Sequence, residues 1–547
     1  MKQYSFRVLR MPIIAAVVLL CPVYARAGEQ ETTFVFTDIS EQSGLRPHLA
    51  GALNHAVAWG DIDGDGRPDL FLGNFDKGGN PKYGLTEAIP NRLFRNAGEG
   101  RFVHISMPAI ETRGRTSGAV LADFDNDGDL DLFVGNNTHP PGKADQQPAL
   151  RQPSALYRND AGRFVDVSAS CGACPADQFF VRDIGVFDYD GDGLLDMLVL
   201  EDRVFRPRAH SRLFRNLGGM KFEDVTAAAG LPDDLYGFGI AVADLNGDGR
   251  PDFFICGPNR LYLSGPDGRY RQAESLRDLF DIRAASAEEF VTGAWLGDID
   301  NDGDMDLVIG THYAPAKIRV YLNEGLRDGI PRFRDITAEV GLPLLPAKAP
   351  SPQIADFDND GLPDLYWSAW FAEGAARWPF ICRGLGVKDG LPRFAVPSVQ
   401  GIDVNRKVDA PAGKRGMVYY VNGPAIDFDG DGDLDLFAGI WPDENSRLFR
   451  NDTPRRGNWL AVRVEGTRMN RMGVGATVRI EAGGTLLGCQ QLTMNGGYSG
   501  SHPPAAHFGL GPRKTVDVVV VFPSRSQPVK MAGVDACQTL VVKEPRQ

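Results

Sequence analysis

Several features that would point directly to a function are missing from this sequence. The eight histidines are scattered and form no H-E-x-x-H or H-x-H motif, and no nucleophile elbow is present. Lysine and arginine form no basic cluster, and the formal net charge is −13, so the positive face that nucleic acids require is absent. After the N-terminal segment, no 18 consecutive apolar residues occur, which argues against a membrane-spanning helix. Nucleic-acid binding and the familiar motif classes of enzyme are therefore disfavoured.

The first 27 residues have the pattern of a secretory signal peptide. Lys2, Arg7 and Arg10 precede an apolar run over 11–20, and Ala25-Arg26-Ala27 provides a small-x-small cleavage site. This run of about ten residues is shorter than the roughly 20 that a bilayer span needs. We expect cleavage after residue 27 and a mature chain that is secreted, either to the periplasm or to the extracellular space.

Cysteine is scarce, and its distribution fits an oxidising compartment. Of the seven cysteines, six remain after removal of the signal peptide, an even number that is compatible with disulfides. Cys171 with Cys174, and Cys489 with Cys537, could each form a disulfide, and free thiols are the alternative. Two further cysteines, Cys256 and Cys382, lie in apolar runs and are expected to be buried thiols.

One nine-residue pattern, D-x-[DN]-x-D-G-x-x-D, occurs seven times. The copies start at Asp61, Asp123, Asp188, Asp244, Asp298, Asp356 and Asp427, with spacings of 62, 65, 56, 54, 58 and 71 residues. Each copy is followed by a short apolar run, and most are preceded by one, so the pattern predicts a loop between two strands. A fixed unit repeated at this spacing indicates a repeat architecture.

Two further signatures recur with the same period. An aromatic strand ends in a turn, as in Leu93-Phe94-Arg95-Asn96, and a strand led by an aromatic residue follows, as in Phe102-Val103-His104-Ile105. This gives about four strands per repeat, which predicts an all-β fold with a seven-bladed β-propeller. The aromatic-led strand also occurs once before the first loop, and no copy follows Asn451. We therefore expect Phe36 to Ile39 to supply the missing strand of the seventh blade and to close the ring.

The Asp-rich loops predict calcium sites. In such a loop, the side chains at positions 1, 3 and 5 converge, a glycine at position 6 allows a sharp turn, the carbonyl of residue 7 turns inward and the Asp at position 9 closes the shell. These hard oxygen ligands suit Ca²⁺ better than Mg²⁺, and clustered carboxylates repel one another without a cation. The predicted ligands, with position 7 acting through its carbonyl, are Asp61, Asp63, Asp65, Arg67, Asp69, Asp123, Asp125, Asp127, Asp129, Asp131, Asp188, Asp190, Asp192, Leu194, Asp196, Asp244, Asn246, Asp248, Arg250, Asp252, Asp298, Asp300, Asp302, Asp304, Asp306, Asp356, Asp358, Asp360, Leu362, Asp364, Asp427, Asp429, Asp431, Asp433 and Asp435.

The acidity of the chain follows from these loops. Loss of the four basic residues of the signal peptide takes the net charge from −13 to −17, and seven Ca²⁺ ions would bring it to −3. The fourth site carries Asn246 in place of an Asp, so we expect it to bind least tightly. An EF-hand is excluded because position 12 is an apolar residue inside a strand-like run, such as Leu72 or Val134, instead of a Glu. The remaining alternative is that Asp, Asn and Gly only make tight turns.

These repeats resemble the FG-GAP or VCBS repeat of integrin α-subunit propellers and many secreted bacterial proteins. The resemblance covers roughly residues 32–456, and the nine-residue loop is its most specific part. It implies a seven-bladed propeller over 32–451, with calcium in the loop between the first two strands of each blade. It also implies ligand roles at positions 1, 3, 5, 7 and 9.

A second domain is predicted after a polar linker at 452–457. Residues 458–547 alternate as strands do, which predicts a small β-sandwich. Three motifs, starting at Asn470-Arg471, Gly496-Gly497-Tyr498-Ser499 and Phe508, resemble the ASPIC and UnbV domain, which follows calcium-loop propellers in the cartilage acidic protein family. Asn470, Arg471, Tyr498 and Ser499 are candidates for a binding surface, with turn and packing roles as the favoured alternative.

Three functional hypotheses remain at this point. The leading one is a calcium-stabilised extracellular binding or adhesion module for a protein or carbohydrate, using the propeller face and the C-terminal domain. The second is a carbohydrate-active enzyme, a polysaccharide lyase or hydrolase, and the third is a structural part of an extracellular assembly. No nucleic-acid partner is expected.

Overall fold

The computed structural model describes residues 34–546, apart from 76–85, 138–151, 179, 204–209, 283–289, 313–317, 343–348, 369–379, 396–398, 401–418, 423, 442–445, 456 and 524–526. The predicted signal peptide at 1–27 lies outside the described residues. None of the helices in the described ranges has the length and apolarity needed to span a membrane.

The fold is all-β, as predicted, and the helices are single turns. The repeat region forms one antiparallel sheet around each Asp-rich loop, and we call these sheets 1 to 7 in the chain order of their loops. The helices are α1 (Arg46–Leu49), α2 (Ser168–Cys171) and α3 (Arg277–Phe280), with a 3₁₀ turn at Glu274–Leu276.

Within a sheet, each strand pairs with the next one along the chain. Two sheets depart from this order. The outer part of sheet 6 is a separate hairpin, and in sheet 7 the N-terminal strand pairs antiparallel with the last strand and in parallel with the first one. The strands are β1 (Phe34–Asp38); in sheet 1, β2 (Asn54–Gly60), β3 (Asp69–Asn74), β4 (Arg92–Gly98) and β5 (Arg101–Ile105); in sheet 2, β6 (Thr116–Ala122), β7 (Asp131–Asn136), β8 (Ala155–Asp160) and β9 (Arg163–Asp166); in sheet 3, β10 (Val181–Phe187), β11 (Asp196–Glu201), β12 (Arg212–Asn216) and β13 (Phe222–Asp224); in sheet 4, β14 (Ile240–Ala243), β15 (Asp252–Ile255), β16 (Arg260–Ser264) and β17 (Tyr270–Gln272); in sheet 5, β18 (Val291–Gly297), β19 (Asp306–Thr311), β20 (Arg319–Arg327) and β21 (Ile330–Asp335); in sheet 6, β22 (Pro352–Ala355), β23 (Asp364–Trp367), β24 (Phe380–Cys382), β25 (Gly384–Lys388) and β26 (Leu391–Phe394); and in sheet 7, β27 (Val399–Gln400), β28 (Tyr419–Asn422), β29 (Leu436–Trp441) and β30 (Arg447–Asn451).

The first two strands of a sheet are buried on both faces, whereas the fourth is buried on one. All residues of β2 and β3 are buried, but β5 alternates between buried and exposed positions. The continuous apolar runs that flank the Asp-rich loops are therefore inner strands, and the aromatic-led strand packs one ring inward. Phe102 in β5, for example, contacts Trp59 in β2 with a ring-centroid distance of 6.0 Å.

The first strands contact one another in order, from β2 to β6, β10, β14, β18 and β22, and β2 also contacts β28 of sheet 7. The N-terminal strand β1 pairs with β30, with Phe36 opposite Asn451 and Asp38 opposite Phe449. The prediction that the N-terminus supplies a strand of the last sheet is thus confirmed. The repeat region is a β-propeller, and the count of seven blades stays a prediction.

The C-terminal region forms two further sheets around one apolar core. One sheet has the order β35-β31-β38 and the other β33-β32-β36-β37, and Leu460, Val478, Phe508 and Val518 from the two sheets are buried together. A strand of two residues, β34, leaves this region and pairs with β2 of the propeller. The strands are β31 (Asn458–Glu465), β32 (Thr477–Ala482), β33 (Thr485–Gln491), β34 (Gly500–Ser501), β35 (Ala505–Gly511), β36 (Thr515–Val521), β37 (Val529–Asp535) and β38 (Gln538–Lys543).

The cysteines form no disulfide. All six cysteines of the predicted mature chain lie in the described residues, and all are free. The candidate pair of Cys489 and Cys537 is not joined. Cys489 is buried in β33, whereas Cys537 is exposed. A hydrogen bond from Cys174 lowers the pKa of the Cys171 thiol to about 7. As expected, Cys256 and Cys382 are buried thiols.

Candidate metal loops and the docked C-terminal domain

Each Asp-rich loop, numbered like its sheet, turns at two residues in the left-handed region of φ. Position 6 is always glycine, with φ between +79° at Gly249 and +104° at Gly128. Position 4 is also left-handed in all seven loops, and it is always glycine or asparagine, the residues that adopt this conformation at least cost. The described left-handed residues at position 4 are Gly64, Asn126, Gly191, Gly247, Asn301, Asn359 and Gly430. The nine-residue pattern therefore supplies the residues that a left-handed backbone needs at positions 4 and 6, in addition to the carboxylates.

The Asp at position 1 holds the turn together. In loop 1, the backbone N–H of Asp65 donates to Asp61 Oδ1 at 3.0 Å, and that of Gly66 donates to Asp61 Oδ2 at 2.8 Å. The bond from position 6 to position 1 recurs in every loop, with lengths of 2.8 to 3.0 Å. These bonds bring the carboxylates at positions 1, 3 and 5 to one side of the loop.

The carboxylates cluster as a metal site requires. In loops 2, 5 and 6, oxygens of positions 1, 3 and 5 lie within 4.8 Å of one another, and in loops 1 and 3 those of positions 1, 3 and 9 do so. Two buried carboxylate oxygens, Asp123 Oδ1 and Asp429 Oδ1, have no hydrogen-bond partner among the described residues. Burial, with the neighbouring carboxylates, raises the pKa of Asp298 to about 7 and that of Asp123 to about 6. This all-oxygen donor set fits a hard divalent cation.

The Asp at position 9 also links strands. One oxygen of Asp69 accepts the N–H of Ile62 at 2.9 Å, and the other accepts the N–H of Asn96 in β4 at 2.7 Å. The same pair of bonds recurs in all seven sheets. Each carboxylate oxygen has two lone pairs, so these bonds leave room for a metal, and the ligand role of position 9 stays a prediction.

An asparagine at or near the end of the third strand bonds neighbouring sheets to each other. Asn96 Nδ2 donates to Phe428 O in loop 7 at 2.8 Å, and Asn216 Nδ2 donates to Phe124 O in loop 2 at 2.7 Å. Asn159 and Asn451 reach the preceding loops in the same way, through Ile62 O and Phe357 O. The Arg-Asn motif was recognised in the sequence as a turn only. The regular period of this Asn was the signal that could have revealed its role.

Some loops carry a counter-charge supplied by the protein. Arg383 pairs with Asp358 at 2.8 Å and with Asp360 in loop 6, and Arg215 pairs with Asp190 in loop 3 at 2.6 Å. In sheets 4 and 5 the same strand position is Leu263 or Leu322. The fourth loop keeps its geometry with Asn246, whose Oδ1 accepts the N–H of Asp248 at 3.0 Å, and its lower affinity stays a prediction.

The C-terminal domain covers the loop face of the propeller. In loops 2 to 7, a Cβ added to the glycine at position 6 would meet this domain within 4 Å, but in loop 1 a Cβ at Gly66 would meet nothing. The contacting groups, in loop order from 2 to 7, are Arg471 at Gly128, Arg468 at Gly193, Pro523 at Gly249, Leu486 at Gly303, Gly509 at Gly361 and Trp459 at Gly432. The chain's own C-terminal domain therefore occupies the loop face at loops 2 to 7, and the use of a propeller face by an external ligand stays a prediction.

Hydrogen bonds accompany these contacts. His507 Nε2 lies 3.0 Å from Gly432 O and is the donor, because a carbonyl only accepts. Gln491 is bonded twice to the first residue of loop 4, since its Oε1 accepts the N–H of Asp244 at 2.7 Å and its Nε2 donates to Asp244 O at 2.8 Å. Side chains of the C-terminal domain thus form hydrogen bonds with backbone atoms of the loops.

Residues 495–501, which we call the channel segment, lie against the first strands of several sheets. Asn495 bonds through its side chain to Val186 N at 2.8 Å and to Ile184 O in β10, and Gly497 exchanges two backbone bonds with Ala294 in β18. β34, within this segment, pairs in parallel with β2. The channel segment therefore fills the space where the inner strands converge.

The proposed C-terminal binding residues have packing roles in this arrangement. Asn470 is buried and bonds to both N and O of Val474, which closes a turn. The backbone N–H of Arg471 donates to Asn126 Oδ1 in loop 2 at 3.1 Å. Tyr498 and Ser499 are buried in the channel segment, where Tyr498 packs edge-on against His55 at 5.4 Å.

A cavity of about 660 Å³ remains between the loop face and the C-terminal domain. Loop 1 contributes Asp61, Gly64 and Gly66 to its wall, and Trp295 and His502 line it from the two domains. These two rings are stacked at 5.6 Å.

Comparison with known proteins agrees with these observations. The FG-GAP-like repeat model matches residues 61–134, 188–255 and 298–367, and the ASPIC and UnbV model matches 466–547. Cartilage acidic protein 1 of Mus musculus is 26% identical over 93% of this chain and 77% of its own length. Integrin alpha-V of Gallus gallus is 26% identical over 37% of this chain and 21% of its own length.

Among solved structures, the rhamnogalacturonan lyase PL11 of Bacillus licheniformis has a TM-score of 0.38 and 13% identity, covering 74% of this chain and 72% of its own. A likeness of that size carries no argument about activity. The chain is thus made of FG-GAP-like repeats followed by an ASPIC and UnbV domain, the architecture that it shares with its relative cartilage acidic protein 1.

Proposed function

We propose that this protein is a secreted, calcium-loaded binding module for an extracellular protein or carbohydrate. The observation that carries the proposal is the clustering of carboxylate oxygens within 4.8 Å in repeated loops. Carboxylates this close repel one another, and the repulsion is removed when a divalent cation binds between them. Calcium would supply that charge, held by positions 1, 3 and 5, the carbonyl of position 7 and the Asp at position 9.

The docked C-terminal domain changes which surface is offered to a partner. The loop face of loops 2 to 7 is covered within the chain, so an external ligand would bind the outer strands, the uncovered loop 1 or the outward side of the C-terminal domain. The FG-GAP-like repeats support a binding role. Secretion rests on the signal peptide that residues 1–27 predict.

The metal part of the proposal can be tested with one pair of variants. Asp298→Ala removes a predicted ligand of loop 5, whereas Asp278→Ala removes an exposed carboxylate of equal charge from α3. Equilibrium dialysis against calcium, followed by elemental analysis, should show about one ion fewer per chain for the first variant and no change for the second. Equal calcium content in both variants would oppose the proposal.

The binding part requires a ligand screen. The mature chain, immobilised in calcium, should retain proteins or glycans from extracellular material, and chelation should release them. A polysaccharide that the chain cleaves, with turnover lost on changing one Tyr, His or Arg outside the loops, would favour the enzyme hypothesis instead. A stable high-mass complex in native extracts would favour the structural one.

A further inference from the structure

In six of the seven loops the C-terminal domain lies against the glycine at position 6, and it also bonds to position 1 of loop 4 and to position 4 of loop 2. The position-6 glycines of loops 2 to 7 lie against it, and the packing is closest at Gly432, where an added Cβ would overlap the Trp459 indole. These glycines belong to the turn that would surround a metal ion. The surface that the C-terminal domain contacts is therefore built from the proposed calcium loops themselves.

We propose that docking of the C-terminal domain onto the propeller requires metal in the loops that it covers, so that calcium removal releases the domain and the channel segment. This inference rests on the calcium loading proposed above and goes beyond it. It identifies the loop face as a metal-dependent interaction surface whose partner is the chain's own C-terminal domain.

The first argument concerns charge. Asp298 of loop 5 and Asp356 and Asp358 of loop 6, two of the loops that the C-terminal domain covers, are buried. Water screens the repulsion among clustered carboxylates less well where they are buried, so covering such a loop without metal costs free energy. A bound divalent cation offsets this charge, and the same covering then becomes favourable.

The second argument concerns shape. The domain binds backbone atoms of the loops, among them Gly432 O and both N and O of Asp244. Gly249 also packs closely against this domain, since a Cβ added to Gly249 would lie only 3.2 Å from Pro523 O. Because a bound ion fixes the positions of the ligand side chains and of the carbonyl at position 7, it also fixes the loop backbone to which the domain bonds.

The coupling must be reciprocal. If metal favours docking, docking raises metal affinity by the same factor, and couplings of this kind are typically about 5- to 150-fold. Loop 1, whose glycine at position 6 meets no neighbour, should contribute least. Release would free the backbone groups of Val57 and Ala294 that now bond to the channel segment, and it would open the cavity to an external partner.

Hydrogen–deuterium exchange of the full mature chain tests the inference. Chelation should speed exchange in a peptide over 494–502 by about tenfold or more, while a peptide over 516–521 in the core of the C-terminal domain stays protected. This contrast separates release of an intact domain from its unfolding.

Two glycine variants provide a matched comparison in saturating calcium. Gly432→Ala and Gly66→Ala strain similar backbones, with φ of +91° and +88°, but only the first collides with the C-terminal domain. Gly432→Ala should expose 494–502 to exchange, and Gly66→Ala should not. Asn495→Ala, which removes the bonds to Ile184 and Val186, should act as Gly432→Ala does without altering any loop.

The outcomes distinguish this inference from the proposed function. A chain that binds calcium but shows the same exchange over 494–502 with and without chelator refutes metal-dependent docking and leaves the calcium module standing. A chain that binds no calcium refutes both. Equal exposure in the two glycine variants would show that the effect comes from loop strain, which would also overturn the inference.

Discussion

The bond from Asn96 to loop 7 should be one of the stabilising links that close the repeat region on itself. Asn96 is fully buried, and its Nδ2 donates to Pro68 O at 3.0 Å in its own sheet and to Phe428 O at 2.8 Å in sheet 7. Asn96→Ala removes both donors at once and leaves the two carbonyls without these bonds. The residues joined are 332 positions apart, so the change affects the contact between the first and last sheets directly.

The expected cost follows from these bonds. A buried hydrogen bond contributes a net of about 0.5–1.5 kcal/mol, and leaving its partner unsatisfied raises the cost to about 1–3 kcal/mol. Two carbonyls are affected, and relaxation or water entry at the sheet edge recovers part of the loss. We therefore expect a decrease of about 2–4 kcal/mol in the free energy of unfolding.

Urea denaturation in millimolar calcium measures this change. Ser264→Ala is the matched control, because Ser264 occupies the same strand position in sheet 4 and its buried hydroxyl makes no hydrogen bond with the part of the chain that the structure describes. Ser264→Ala should lower the free energy of unfolding by less than about 1 kcal/mol. If Asn96→Ala costs no more than Ser264→Ala, the asparagine bonds do not hold the sheets together.

Two further predictions concern the N-terminal strand and pH. Phe36→Ala should destabilise the protein by about 3–5 kcal/mol, because Phe36 is 1% exposed and packs edge-on against Phe357 of loop 6 at 6.4 Å, whereas Val35→Ala should cost far less in the same urea titration. In metal-depleted protein, stability should fall as pH rises from about 4 to about 8. Burial raises the folded-state pKa of Asp131 and Asp196 to about 8 from an ordinary value of 3.8, so the stability associated with their neutral forms is present at low pH and is lost as pH rises through the folded pKa. Urea midpoints that do not change with pH in metal-depleted protein would contradict this, and calcium should remove the pH dependence.

Much of the repeat region could be predicted from the sequence because its signals are local. The nine-residue pattern placed each Asp-rich loop between two strands, and the unmatched strand at Phe36 predicted the pairing with β30 that the structure shows. Turn residues and apolar runs act over a few positions, so they can be read without the fold.

The interactions between repeats could not be predicted, because they join residues that are far apart in sequence. Asn126 Nδ2 donates to Gly193 O of the next loop at 2.8 Å, and Asn359 Nδ2 donates to Gly432 O at 3.0 Å. Nothing in the local pattern distinguishes these asparagines from the glycines that occupy position 4 in other loops. Their second role appears only when neighbouring loops are side by side.

Docking of the C-terminal domain was the largest feature that the sequence did not reveal. The polar stretch at 452–457 predicted a linker between separate domains, yet Arg455 in that stretch pairs with Asp433 at 2.9 Å. The contacting residues of the C-terminal domain share no residue type, as Arg471, Pro523 and Trp459 illustrate. Such an interface depends on the complementary shapes of two folded surfaces, which the spacing of residues in the sequence does not predict.

The calcium content of the purified mature chain tests the central claim most directly. Elemental analysis after dialysis against calcium should find close to one Ca²⁺ per Asp-rich loop, up to seven per chain, and exhaustive chelation should lower the melting temperature. Well under one ion per loop, or a melting temperature that chelation leaves unchanged, would contradict the account.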